Sequence, residues 1–366
     1  MGKRTPLYEE HKNLGATIID FGGWDMPVYY TNVIDEHNAA RNAAALFDIC
    51  HMGEIMIEGK QAFDLLQKTM SRDIGKLKEG KMALAVMCNE KGGILDDLTI
   101  YKFSEEKYMV VVNASNIEKD FNWIRKVNEE NKFGTVVKDI TEKTAKLDFQ
   151  GPNAVEVLQQ LVDFDLSEIE FYGFKEGKID GVDAIVSRSG YTCEDGFEIY
   201  FSWGVAKQVW NKILEVGKDS GIKPAGLGAR DTLRLECAMN LYGNEMDESK
   251  TPLQARYCWV VDFEKDFIGK KNLLKQKEEG VKEKLVGFEM LEGGIARHGY
   301  KIFKDGKEVG FVTSGTLGPT LKKAIGLCYI ITKLSEAETE IEVEIRERKY
   351  KAKIVKLPFY KGTCKV

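Results

Sequence analysis

Along the chain the spacing of apolar positions switches between a helical and a strand period. Residues 33–46 (VIDEHNAARNAAAL) set Asp35 and Glu36 ahead of an alanine-rich body, which predicts a helix with acids in its first turn. HMGEIMIEG at 51–59 has strand character, and QAFDLLQKTM at 61–70 recurs at helical spacing. From Ala83 to Val112 the period drops to two. ALAVMCN, a turn at EKGG, ILDDLTIYKF, a turn at SEEK and YMVVV predict a three-strand antiparallel meander. SNIEKDFNWIRKV (115–127) then opens a helix, with Ser115 as its cap and Glu118 three residues on.

A second block runs from about 144 to 236. FQGPNAVEVLQQL reads as strand end, turn and helix, GFEIYF as a strand and VAKQVWNKILEVG as a helix. PAGLGARDTLRLECAM then places a helix start near Ala229. The gross order is similar to that of the first block, but residue identities alone establish no repeat. Strands and helices alternate without a regular βαβ rhythm, so the expected class is α+β with mostly antiparallel sheets. Residues 275–284 (KQKEEGVKEK) are charged around a glycine and read as a linker. Beyond them KIFKDGKEVGFVTSG predicts a hairpin around Asp305-Gly306, and EIEVEIRERKYKAKIVK predicts two more strands. A small antiparallel barrel or sandwich follows from that.

Composition removes several classes of function. At 366 residues, two or three domains are expected, and 43% hydrophobic with 30% charged residues is an ordinary globular balance. The start, MGKRTPLYEEHKNLG, has no apolar core of signal-peptide length and no stretch approaches a membrane span, so a cytoplasmic location is expected. Seven scattered cysteines without C-x-x-C read as reduced thiols, and four histidines without metal-ligand spacing speak against zinc. A net charge of −5 argues against a nucleic-acid protein. No P-loop occurs, and PAGLGARD lacks the third glycine of a dinucleotide fingerprint.

Chemistry-bearing residues remain. ILDDLTIY sets Asp96 and Asp97 side by side in a strand, so they face opposite sides, Asp96 with Ile94 and Leu98, Asp97 with Leu95 and Thr99. An inward carboxylate needs a donor or a positive ligand; a turn-adjacent acid after Gly92-Gly93 is the blander explanation. Asn113 closes the neighbouring strand and reads either as a helix entry or as an amide able to read a heterocycle edge. In SRSGYTCEDGFEIY, Glu194 and Asp195 suit a turn. Glu198 sits inside an apolar alternation, where its carboxylate could accept paired N–H bonds. Arg230, at a glycine-rich helix start, reads as an ion-pair partner of Asp231 or as a ligand for a carbonyl or carboxylate. Cys50 and His51 are adjacent, but strand neighbours face apart, which makes a poor nucleophile–base pair.

Taken together the segments resemble the glycine-cleavage T-protein family along essentially the whole chain. RTPLYEEHKNLGATIIDFGGWDMPVYY, DICHMGEI, MCNEKGGILDDLTIY, VVNASNIEKDF, FQGP, SRSGYTCEDGFE, PAGLGARDTLRLE, FIGK and VGFVTSGTLGPTL occur in that family's order. The resemblance implies two intertwined α+β domains within 1–274, the meander near 51–140 forming one. The linker 275–284 and a C-terminal β-barrel at 285–366 follow, around a central folate site. It implies a metal-free aminomethyltransferase that moves the methylene of an aminomethyl group on the lipoyl arm of H-protein to tetrahydrofolate, with release of ammonia. Nucleic acid and membrane are not implied as partners.

By the same resemblance Asp97 falls at the essential aspartate, where a carboxylate can orient folate and stabilise positive charge developing on nitrogen. Glu198 falls where the pterin edge is paired, and Arg230 where an arginine contacts the pterin. Asn113 and Tyr101 line the same pocket, Tyr172 and Tyr191 form walls, and Met52 packs on the ring or in the core. Three segments depart from the family pattern. Cys193 stands for a glycine, Ala255-Arg256-Tyr257-Cys258 replaces a Gly-Leu-containing segment, and Gly318 replaces a serine before Pro319. The last two would affect domain contacts or H-protein docking more than folate. Two alternatives are a demethylase of the same family, which retained Asp97 opposes, and a non-catalytic folate-binding accessory protein. The accessory protein's K-G-C-Y-x-G-Q signature is absent.

Overall fold

The structure, a computed structural model, describes residues 2–364. The predicted meander is present. Lys81–Cys88, Ile94–Ser104 and Lys107–Val112 pair antiparallel, and Gly53–Glu58 and Val136–Asp139 extend them to a five-stranded sheet. Helices Ala62–Thr69 and Ile117–Asn131 cover one face, where Leu65, Leu66, Ile124 and Val127 pack on Ile55, Leu98 and Ile100. The second helix begins at Ile117 with no side-chain cap, so Ser115 does not cap it; residues 114–116 form a 3-10 turn instead.

The second block carries the same succession of elements. Strand Thr144–Gln150 and helix Ala154–Gln159 come first, then strands Phe174–Ile179, Val182–Ser187 and Gly196–Ser202, helix Ala206–Val216 and strand Lys223–Ala225. Their order across the sheet is also the same, except that Ala45–Asp48 is inserted between Thr144–Gln150 and Lys223–Ala225. That early strand is what interlocks the two units. After a separate three-stranded sheet made by Lys3–Arg4, Thr17–Phe21 and Trp24–Tyr29, the chain enters the second sheet at Ala45, leaves to build the first, and returns at Thr144.

Six strands between Glu283 and Val355 close a barrel around Phe288, Ile302, Val312, Ile330, Val343 and Ile354. Its hairpin turns at Asp305 (φ 49°) and Gly306 (φ 76°), as the sequence predicts. The architecture is α+β with a closed C-terminal barrel. The expected linker is not irregular, because Lys270–Glu279 is a helix bounded by Gly269 (φ 91°) and Gly280 (φ 78°). Leu273 anchors it in the core while Lys275 and Glu279, 3.8 Å apart, stay in solvent. The charge run is the solvated face of that helix. Only residues 280–282 connect it to the barrel.

Helix Leu227–Glu236 starts two residues before the predicted Ala229 and forms the seam with the barrel. Arg234 Nη2 donates to Ser314 Oγ at 2.9 Å, and Glu236 Oε1 accepts from the Thr320 amide at 2.8 Å. No helix among the described residues is long and apolar enough to cross a membrane.

Candidate active site

A cavity of about 620 Å³ is lined by both sheets, by helix Leu227–Glu236 and by the segment that follows it. This size suits a drug-sized or cofactor-sized ligand. Asp97 reaches it because strand Ile94–Ser104 alternates cleanly from Asp96 onward. Asp96, Leu98 and Ile100 turn to the helix-covered core, and Asp97 and Thr99 face the cavity. The expected grouping of Ile94 with Leu98 and of Leu95 with Asp97 does not hold. The register shifts opposite Met87–Cys88, so Leu95 packs with Leu98 while Ile94 joins Val86 and Met246.

The two acids are wired together through Asn113. Its Nδ2 donates to Asp96 Oδ1 and to Asp97 Oδ1, both at 2.9 Å, and its amide donates to Asp96 Oδ2 at 2.9 Å. Asn113 lines the cavity, but its donors are committed to carboxylates rather than free for a heterocycle edge. Asp96 is fully buried and also accepts from Asn116 Nδ2 at 2.6 Å. Asp97 Oδ2 accepts from Tyr257 OH at 2.8 Å. Burial and the neighbouring Asp96 push Asp97 up to about 7, against the two donors that favour its ionised form.

Across the cavity, Glu198 is 7% exposed and faces Lys146, whose Nζ lies 3.0 Å from Oε1. Its Oε2 accepts from Ser189 Oγ at 2.9 Å and from Tyr101 OH at 3.3 Å. Despite burial, Lys146 holds Glu198 below the usual carboxylate range. Tyr101 does not line the cavity. It is fully buried behind Glu198, bonded to Tyr200 OH at 2.8 Å and Ser187 Oγ at 3.1 Å. Arg230 pairs with Asp148, not with Asp231, and its guanidinium sits 4.9 Å from the Tyr191 ring centre. Asp231 is instead 2.8 Å from Arg234. Burial lifts Asp148 to about 6 even beside Arg230. Tyr172, Tyr191 and Met52 are on the wall, and Tyr191 OH donates to the Asn240 carbonyl.

Lys146 and Asp148 were not singled out from the sequence, although TAKLDFQ carries their signal. Ala145, Leu147 and Phe149 enter the core, so the alternate Lys146 and Asp148 must face the other side. His51 also lines the cavity. Burial holds it down to about 3, hence neutral, and its Nδ1 has no partner among the described residues. Cys50 points away into the second core and donates to the Lys146 carbonyl at 3.4 Å, so the two form no catalytic pair.

The departures from the family pattern also have structural meanings. Cys193 keeps φ 63°, the left-handed turn a glycine would adopt. Gly318 lies where an added Cβ would meet Glu236 Oε1 at 2.9 Å. The 255–258 segment is not remote from the site, because it delivers Tyr257 to Asp97.

Comparisons with known proteins agree along the full length. The family model "GCVT N-terminal domain" matches residues 7–265, and "Glycine cleavage T-protein C-terminal barrel domain" matches 283–361. An aminomethyltransferase of Caldanaerobacter subterraneus subsp. tengcongensis is 52% identical over 365 residues, covering 99% of this chain and 97% of its own. One from Thermoanaerobacter sp. (strain X514) is 50% identical, covering 99% of each. The crystal structure of glycine cleavage system aminomethyltransferase T from Bartonella henselae matches with a TM-score of 0.93 at 34% identity, over 100% of this chain and 99% of that one.

Proposed function

Since the chain belongs to the glycine cleavage T-protein family, we propose that its cavity is the tetrahydrofolate site of an aminomethyltransferase and that the transfer depends on Asp97. The overall activity is that of the glycine cleavage system's aminomethyltransferase. In it, the methylene of an aminomethyl group carried on the lipoyl arm of H-protein passes to tetrahydrofolate, and ammonia is released. The cytoplasm is the compartment we assign.

The observation that carries the reading is the double grip on Asp97, with Asn113 on one oxygen and Tyr257 on the other, at the wall of a ligand-sized cavity. A carboxylate so held is pre-oriented and needs no reorganisation as positive charge develops on nitrogen. The chain's other residues fit a bound pterin. Glu198 Oε1 has Lys146 as its hydrogen-bonding neighbour and keeps acceptor capacity for the amino-pyrimidine edge. Arg230, fixed by Asp148, offers donors to a ring carbonyl. Tyr172, Tyr191 and Met52 supply flat and soft walls. His51 Nδ1, buried and without a partner among the described residues, is a further polar group at the cavity wall.

The reading is tested with the purified chain and aminomethyl-lipoyl H-protein. Ammonia release that requires tetrahydrofolate is the expected result. Folate binding without release would move the chain to a different donor or to the accessory class.

A further inference from the structure

The 255–258 segment brings a hydroxyl to the aspartate on which the proposed transfer turns. Tyr257 is 9% exposed, its ring packed with Val86, Ile94, Met246 and Phe267. Its backbone is fixed on both sides. The Tyr257 amide donates to the Pro252 carbonyl at 2.9 Å, and Asn240 Nδ2 donates to the Ala255 carbonyl at 2.8 Å. Arg256 between them holds φ 65° and donates through Nη1 to the Ala238 carbonyl at 3.0 Å. A ring delivered this way has little freedom, and its hydroxyl ends 2.8 Å from Asp97 Oδ2.

We propose that Tyr257 is a positioning residue for the transfer, holding Asp97 in orientation through the hydrogen bond from its hydroxyl to Oδ2. This rests on the reading of Asp97 given above. The surroundings of Asp97 oppose each other. Asp96 on the same strand, with Asp120 on the helix behind it, disfavours a second negative charge. Asn113 and Tyr257 donate to Asp97 and favour it. Tyr191 and Tyr172 stand near as neutral phenols, and Arg256 flanks Tyr257. A neutral donor tilts this balance without locking the carboxylate at low pH, as an arginine would. Burial and Asp97 keep the Tyr257 hydroxyl protonated far above neutrality, so it remains a donor throughout the working range.

Tyr257→Phe removes the hydroxyl and leaves the packed ring. Turnover at neutral pH should fall about tenfold, the scale of one hydrogen bond to a charged group. The acid limb of the kcat–pH profile should move up by about one unit, with KM for tetrahydrofolate unchanged. Against an Asp97→Asn background the same substitution should cost nothing further. Fluorotyrosine at 257, a stronger donor, should move the limb to lower pH, which keeps the test usable if the phenylalanine variant folds poorly. A Tyr257→Phe profile that superposes on the wild type while Asp97→Asn is inactive would overturn the role of Tyr257 alone. An unimpaired Asp97→Asn would remove Asp97 from the mechanism, and Tyr257 with it.

Discussion

Asp97 sits where burial and a second acid compete with two hydrogen-bond donors, and that competition sets its proton. Because its pKa is raised to about 7, the ionised form is gained as pH rises through that value. The rate should therefore climb about tenfold per unit below neutrality and level off above it, checked by kcat measured across the range. On the opposite wall, Glu198→Gln keeps the shape but leaves Lys146 buried beside a neutral amide. Folate affinity should weaken about tenfold or more, read by equilibrium titration, with less effect on saturated turnover. The acid pair was legible because two adjacent aspartates in an apolar strand demand an explanation. Tyr257 was not, since its partner lies 160 residues away and no local period points to it.

At the level of elements, the meander was readable because EKGG and SEEK mark its turns and the strand between them alternates from Asp96 onward. At 275–284 lysine and glutamate suit a solvated helix and a loop equally well, and Leu273, just ahead of that stretch, is what anchors the helix Lys270–Glu279 in the core. The two-fold use of one succession of elements was only half visible. It resides in sheet order, and the inserted strand Ala45–Asp48 comes from far upstream. The turn at the end of its neighbour Thr144–Gln150 is tight. Gly151, in FQGP, holds φ 136°, and an added Cβ would meet the Ala43 and Ala40 carbonyls at 2.6 and 2.7 Å. Gly151→Ala should destabilise by roughly 2–4 kcal/mol in denaturant unfolding, since backbone on both sides of the clash cannot yield.

Across the whole molecule, one buried cation joins three regions. Arg41 Nη1 lies 2.8 Å from Glu194 Oε1 in the cavity loop, and Nη2 lies 3.1 Å from Glu236 Oε2 on the seam helix. Its guanidinium stacks 4.1 Å from the ring of Tyr360 in the C-terminal segment. Against the burial that would raise it, His37 and Arg41 hold Glu236 at about 2. Arg41→Met strands two buried carboxylates and should cost about 3–5 kcal/mol. Calorimetry should then show the barrel melting ahead of the body rather than one shared transition. The three-part architecture was foreseen through family resemblance. This network was not, because its pairs join positions more than 150 apart in the chain.

The central claim is that Asp97 acts in the transfer and not in holding folate. The direct measurement compares Asp97→Asn with the wild type for ammonia release from aminomethyl-lipoyl H-protein and for tetrahydrofolate affinity. Release reduced about 100-fold or more, with affinity retained, is the predicted result. Equal release from the two proteins, or affinity lost in proportion to release, would contradict it.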